Sequence, residues 1–149
     1  YSGKKKAHTV KNLIISGNSD REVKYLTATV EGKKHDKKAM DESGIAFPKN
    51  TTLYQDTGFQ GYKPEDVNIK QPKKKPRGKE LTSEEKENNR LISSVRVVVE
   101  HVLCGVKRLY IVKSVFRNTK DGYDDLVMLL ACGLHNFRNF NRNKVLAIE

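Results

Sequence analysis

The sequence predicts an α/β fold in which a mixed sheet is flanked by helices. Three observations lead there. Short runs rich in β-branched and aromatic residues, separated by turn residues, occupy 11–16, 22–30 and 51–55. Two longer segments with helical periodicity and start signals follow, at about 82–104 and 122–137. Strands and helices also alternate along the chain, the order expected when helices cover the faces of a sheet.

Each element has a local reason. Tyr1 to Lys6 is a basic opening segment, and Lys11 to Ser16 reads as a first strand closed by the turn Gly17-Asn-Ser-Asp20. Glu22 to Val30 returns as a second strand, antiparallel to the first. Lys33 to Ser43 is polar and weakly helical, ending at Gly44. Thr51 to Gln55 is a third strand, with Asp56 at its end and the turn-prone Thr57-Gly-Phe-Gln-Gly61 behind it. Residues 63–81, with Pro64, Pro72, Pro76 and the run Lys73-Lys-Lys-Pro-Arg-Gly-Lys79, read as a flexible basic loop. Thr82-Ser-Glu-Glu85 fits a capping box, so a long helix starts there and runs to about Cys104. Val106 to Ser114 reads as a further strand. Asp121 can cap a last helix whose Leu126, Val127, Leu129, Leu130 and Leu134 form its packing face. The domain spans 1–139, leaving 140–149 as a tail.

At 149 residues the chain can bury one sizeable core. Its 29 Lys and Arg against 18 Asp and Glu give +11, which points to a polyanionic partner. Cys104 and Cys132 lie in apolar helical stretches and read as small buried hydrophobes of a reducing, cytoplasmic compartment. No apolar run reaches membrane-spanning length. His35-Asp36, His101 and His135-Asn136 lack zinc-ligand spacing and read as surface or helix-packing residues.

The chemistry concentrates in Arg96, Glu100 and Lys107. They lie within the apolar run from Leu91 to Lys107, which would leave a helix little solvent-facing surface. A charge placed there needs a partner, because burying an unpaired charge is costly. If the helix persists past Gly105, all three share one stripe. The structural explanation is an i, i+4 ion pair between Arg96 and Glu100. The functional one joins Glu100 to Asp56, since strand ends in α/β sheets commonly carry ligands. Two carboxylates suit Mg²⁺, which takes oxygen ligands and keeps several waters; Arg96 and Lys107 would hold phosphate. Lys73, Lys74, Lys75 and Arg77 read either as a solvated charge run or, beside such a phosphate site, as DNA-backbone contacts, which lend salt-sensitive affinity without sequence readout.

These residues carry a resemblance. Arg96-x3-Glu100-x6-Lys107 resembles the helix motif of insertion-sequence DDE transposases, where Tyr, Arg, Glu and Lys recur at intervals of two, three and six residues. Tyr54-Gln-Asp-Thr-Gly-Phe-Gln-Gly61 resembles the segment holding the family's second aspartate. Tyr1-Ser-Gly-Lys-Lys-Lys6, Gly32-Lys-Lys-His-Asp-Lys37, Pro72-Lys-Lys-Lys-Pro76 and Ala131-Cys-Gly-Leu-His-Asn-Phe-Arg138 are similar to further stretches of it. The resemblance implies a ribonuclease H-like sheet and DNA cleavage and strand transfer with Mg²⁺ or Mn²⁺. Asp56 and Glu100 would be metal-binding catalytic residues, and Arg96, Lys107 and Lys4, Lys5 and Lys6 would contact DNA. Transposon ends and target DNA would be the partners, with self-association or assembly with an upstream part, in a bacterial cytoplasm on the nucleoid.

Two departures qualify that implication. Ser93 stands at the motif's tyrosine position. The family's first catalytic aspartate precedes the Tyr-Ser-Gly-Lys-Lys-Lys stretch, so the first strand is expected to be lacking and activity of this chain alone to be weak. The rival readings are an inactive DNA-binding remnant and a self-sufficient nuclease that uses Asp36 as its third carboxylate.

Overall fold

A computed structural model describes residues 9–146, so Lys4, Lys5 and Lys6 lie outside the described residues. The chain expected to be a single domain divides into two compact units. One comprises the residues up to Lys33 together with those from Val98 onward, and the other is Lys34–Val97.

The first unit opens with β1 (Val10–Lys11), β2 (Ile14–Ser16), β3 (Val23–Leu26) and β4 (Val30–Glu31). β2 pairs antiparallel with β3 and β1 with β4, so the expected hairpin forms with each strand broken in two. Side chains fill the break. The Asn12 amide donates to the Thr27 carbonyl at 3.0 Å and to the Thr29 hydroxyl at 2.8 Å, while the Thr27 hydroxyl accepts from Leu13 N at 2.9 Å. These bonds satisfy polar groups that a continuous ladder would otherwise occupy.

Against the hairpin lie the last turns of α2 (Ser83–Val106) and the helix α3 (Tyr123–Leu146). Val102 and Val106 of α2 meet Ala131 and Cys132 of α3, surrounded by Ile14, Val23, Leu26, Leu109, Val112 and Met128. The strand expected at 106–114 does not form. The helix runs on through Gly105 to Val106, and a 3-10 turn follows at Tyr110–Val112. Bonds from Leu109 N to Val106 O and from Val112 N to Leu109 O close that segment locally. A strand would need a free edge to satisfy the same groups, whereas the turn also delivers Leu109 and Val112 to the core.

α3 departs from expectation in three ways. Its N-cap position is held by Gly122 rather than Asp121, it continues to Leu146 through the expected tail, and of the expected packing face it buries Val127 but none of the leucines. Val127, Ala131, Cys132 and His135 are buried, whereas Leu126, Leu129, Leu130 and Leu134 are exposed. Small residues let α2 approach closely, and the hairpin offers backbone groups that only the polar side of α3 can meet. Asp125 accepts from Thr29 N at 2.6 Å. Asn136 accepts from Val23 N at 2.8 Å and donates to Val23 O at 2.9 Å, as a neighbouring strand would.

The second unit holds α1 (Asp36–Asp41), β5 (Thr51–Tyr54), β6 (Val67–Lys70) and the beginning of α2. β5 and β6 pair in parallel from Thr51↔Val67 to Tyr54↔Lys70. The sequence reads β6 as loop, because Pro64 and Pro72 bracket a run only four residues long. Its alternation survives: Val67 and Ile69 are half-buried, Asn68 and Lys70 exposed. The capping box forms as expected, with Thr82 N donating to the Glu85 carboxylate at 2.9 Å and Glu85 N to the Thr82 hydroxyl at 3.2 Å. The expected single mixed sheet is therefore three two-stranded ladders, two antiparallel and one parallel. Among the described residues no helix is long and apolar enough to cross a membrane.

Candidate functional site

Asp56 sits where β5 ends and a 3-10 turn, Thr57–Phe59, begins. The turn exists because Asp56 caps it: one carboxylate oxygen accepts from Thr57 N at 2.6 Å, and Gly61, at φ +87, lets the chain reverse. Gln55 N extends the parallel ladder by donating to Lys70 O at 3.0 Å. The Gln71 side-chain amide donates to the Asp56 carbonyl at 2.7 Å, so the chain around Asp56 is fixed by one backbone bond from its neighbour Gln55 and one side-chain bond from the residue after β6.

The second carboxylate oxygen of Asp56 accepts from the Arg96 guanidinium at 3.0 Å. Arg96 is half-buried on α2 and Asp56 is about half exposed. This contact settles which partner Arg96 takes. Among the described residues it does not pair with Glu100 one turn later; it reaches across 40 positions of sequence to Asp56. An exposed pair of this kind contributes at most about 1 kcal/mol to stability, so its weight lies in positioning charge.

Glu100 and Lys107 differ from expectation. Both are exposed, and neither forms an ion pair among the described residues. The apolar run is not buried all round, since Ile92, Val102 and Val106 are its buried line while Leu91 and Val97 are exposed. Cys104, expected to be buried, is also exposed; Cys132 is buried as expected. Asp56 and Arg96 belong to the unit Lys34–Val97, and Glu100 and Lys107 to the other.

Asp36, the alternative carboxylate, opens α1 near the same turn: a Cβ on Gly58 would lie 3.1 Å from its Oδ2. The basic stretch is less free than its composition suggests. Lys73 pairs with Glu85 and Lys75 with Glu80, whereas Lys74 and Arg77 are exposed without a carboxylate partner among the described residues. Asn89 also pins the Lys73 backbone, accepting from its N at 2.8 Å and donating to its O at 3.0 Å.

Sequence reasoning missed Gln55. It is buried, its amide reaches toward the Phe59 and Tyr62 carbonyls at 3.4 and 3.5 Å, and its Oε1 has no hydrogen-bond partner among the described residues. The only available signal was a polar residue at an inward position of a strand beside the candidate aspartate. Among the described residues no group of three or more His, Cys, Asp or Glu side chains gathers closely enough to hold a metal ion. Asp56 and Glu100 are each exposed carboxylates, the type of oxygen donor that a hard cation takes.

The family model described as DDE superfamily endonuclease matches residues 1–136. A probable transposase for insertion sequence element IS702 from Microchaete diplosiphon is 31% identical over 137 residues, covering 92% of this chain and 49% of that protein. The chain thus spans about half the length of the curated relative it matches. No solved structure matches.

Proposed function

Because the chain belongs to the DDE superfamily endonucleases, we propose that it is the catalytic part of an insertion-sequence transposase that cuts and joins DNA. The observation that carries this reading is Asp56, held at a strand end by its cap on the following turn and by the Gln71 side-chain amide, and engaged by Arg96 of the motif helix. Asp56 and Glu100 are the metal ligands of the proposal, Mg²⁺ the metal and Mn²⁺ its substitute. A bound ion would supply Lewis-acid stabilisation of the attacking and leaving oxygens in phosphodiester displacement. Arg96 then exchanges its carboxylate for a DNA phosphate, a replacement its planar fork suits. Lys107, Lys74 and Arg77 add backbone contacts, as do Lys73 and Lys75 once their carboxylates release them, and Lys4, Lys5 and Lys6 on the same argument from charge. A ribonuclease H-like order of strands belongs to this reading, as does action on transposon ends and target DNA at a bacterial nucleoid. The exposed leucine face of α3 supports assembly with a second copy or with another part of the transposase.

The third carboxylate of the family's set has no counterpart assigned among these residues, so metal affinity and cleavage by this chain alone should be weak. Calorimetric titration with Mn²⁺ tests the site: Asp56→Asn and Glu100→Gln should each remove the heat of binding. Equal heats in wild type and both variants would leave the chain a DNA-binding remnant. The proximity of Asp36 to Gly58 favours one other reading, in which Asp36 completes the set. Metal-dependent nicking left unchanged by Asp36→Asn would exclude it.

A further inference from the structure

Away from the carboxylates, a cavity of about 220 Å³ opens in the first unit, where the end of α2, α3 and the turn between β2 and β3 meet. Four arginines line it, Arg21, Arg108, Arg138 and Arg142, beside His101 and His135. No carboxylate lines it, and none of the four arginines forms an ion pair among the described residues. Arginines gathered round one cavity concentrate positive charge there, which an anion entering it would balance.

Part of that charge has a structural use. The end of a helix leaves carbonyls unsatisfied and carries partial negative charge, and Arg138 donates to the Gly105 carbonyl at 2.6 Å. One guanidinium suffices there, which leaves Arg21, Arg108 and Arg142 as a surplus. Arg21 also occupies the left-handed region, at φ +56, a conformation that strains a side-chain-bearing residue. Its carbonyl is held by the ring of buried His135 at 2.9 Å. Arginine thus stands in a turn where glycine would be relaxed, and the residue lines the cavity. Drug-sized ligands occupy about 300–1,000 Å³, so the space suits a single oxyanion group. Guanidinium forks match a phosphate in geometry and charge.

We propose that this arginine-lined cavity grips one backbone phosphate of a nucleic acid. The assignment rests on the DNA-binding part of the reading above but is independent of metal, Asp56 and Glu100. It gives the transposase a second anchor on its substrate, one that would position the strand without reading its sequence.

The test is DNA binding in EDTA across a salt series, comparing wild type with Arg108→Ala/Arg142→Ala and with the control Lys49→Ala/Lys120→Ala. All four residues are exposed, and melting curves verify folding. The cavity variant should bind more weakly, with a dependence of log K on log salt shallower by about 1, the effect of one lost phosphate contact. The control should change binding less. Titration with inorganic phosphate should move amide resonances of Gly105, Arg108 and His135 in wild type and not in the cavity variant. Equal affinity and slope in cavity variant and wild type would overturn the assignment, as would an equal loss in the control. Phosphate shifts accompanied by unchanged DNA binding would make the cavity a free-phosphate site and overturn the nucleic-acid assignment. A wild-type chain that shows no salt-dependent DNA binding would sink both this inference and the DNA-binding reading.

Discussion

Gly105→Ala is an informative perturbation because two effects of comparable size act in opposite directions. Inside a helix, alanine is favoured over glycine by about 1 kcal/mol. At this position, however, a Cβ would lie 2.2 Å from His135 Nδ1 and 2.6 Å from its Cε1. The imidazole is rigid, buried and bonded to the Arg21 carbonyl, so it has no flexible end to give way. Overpacking of this kind costs about 1–3 kcal/mol, and pushing the ring aside loses a hydrogen bond of about 0.5–1.5 kcal/mol. The balance is a destabilisation of about 2 kcal/mol, or a melting temperature lower by roughly 4–8 °C for a chain of this size. Urea unfolding followed by circular dichroism should show a lower midpoint at an unchanged slope. Adding His135→Ala to Gly105→Ala should cost less than the sum of the single changes, because the clash is then absent. A midpoint for Gly105→Ala equal to or above wild type would refute the argument that glycine is there for His135.

Two further outcomes are expected. Burial pushes the Asp20 carboxyl up, but hydrogen bonds from Lys24 and from the Glu22 backbone outweigh it and hold the group below its ordinary value of 3.8. A lowered folded-state value means stability that is present above pH 4 and lost as pH falls through it. Asp20→Asn should therefore flatten the acid limb of a stability profile, and an unchanged limb would count against the hairpin-turn network. Exposed Cys104 should react with iodoacetamide well before Cys132, whose thiol is both shielded and pushed up by burial. Equal rates in the native protein would show that α3 does not pack as described.

Local chemistry was legible wherever neighbours in sequence decide the outcome. The capping box at Thr82, the turn after Asp56 and the hairpin at 11–30 all formed. Each depends on bonds spanning a few residues or one short loop. Failures came where distant groups choose. Leucines made the wrong face of α3 look like the core, because hydrophobicity alone favours Leu126, Leu129, Leu130 and Leu134. The hairpin chose Ala131, Cys132, His135 and Asn136 instead: backbone donors and acceptors of β3 must be met, and α2 needs small neighbours. β6 escaped notice because a parallel strand earns its place only from the strand it joins, thirteen positions or more away.

For this protein the sequence by itself determined the family and the charge and singled out Asp56, Arg96, Glu100 and Lys107 as candidates, because spacing along a helix and a turn motif survive without three-dimensional knowledge. Tertiary structure alone decided that Arg96 serves Asp56 rather than Glu100, and that Arg21, Arg108, Arg138 and Arg142 converge on one cavity. Electrostatic partnership depends on distance through space, and the chain's order conceals that until it folds.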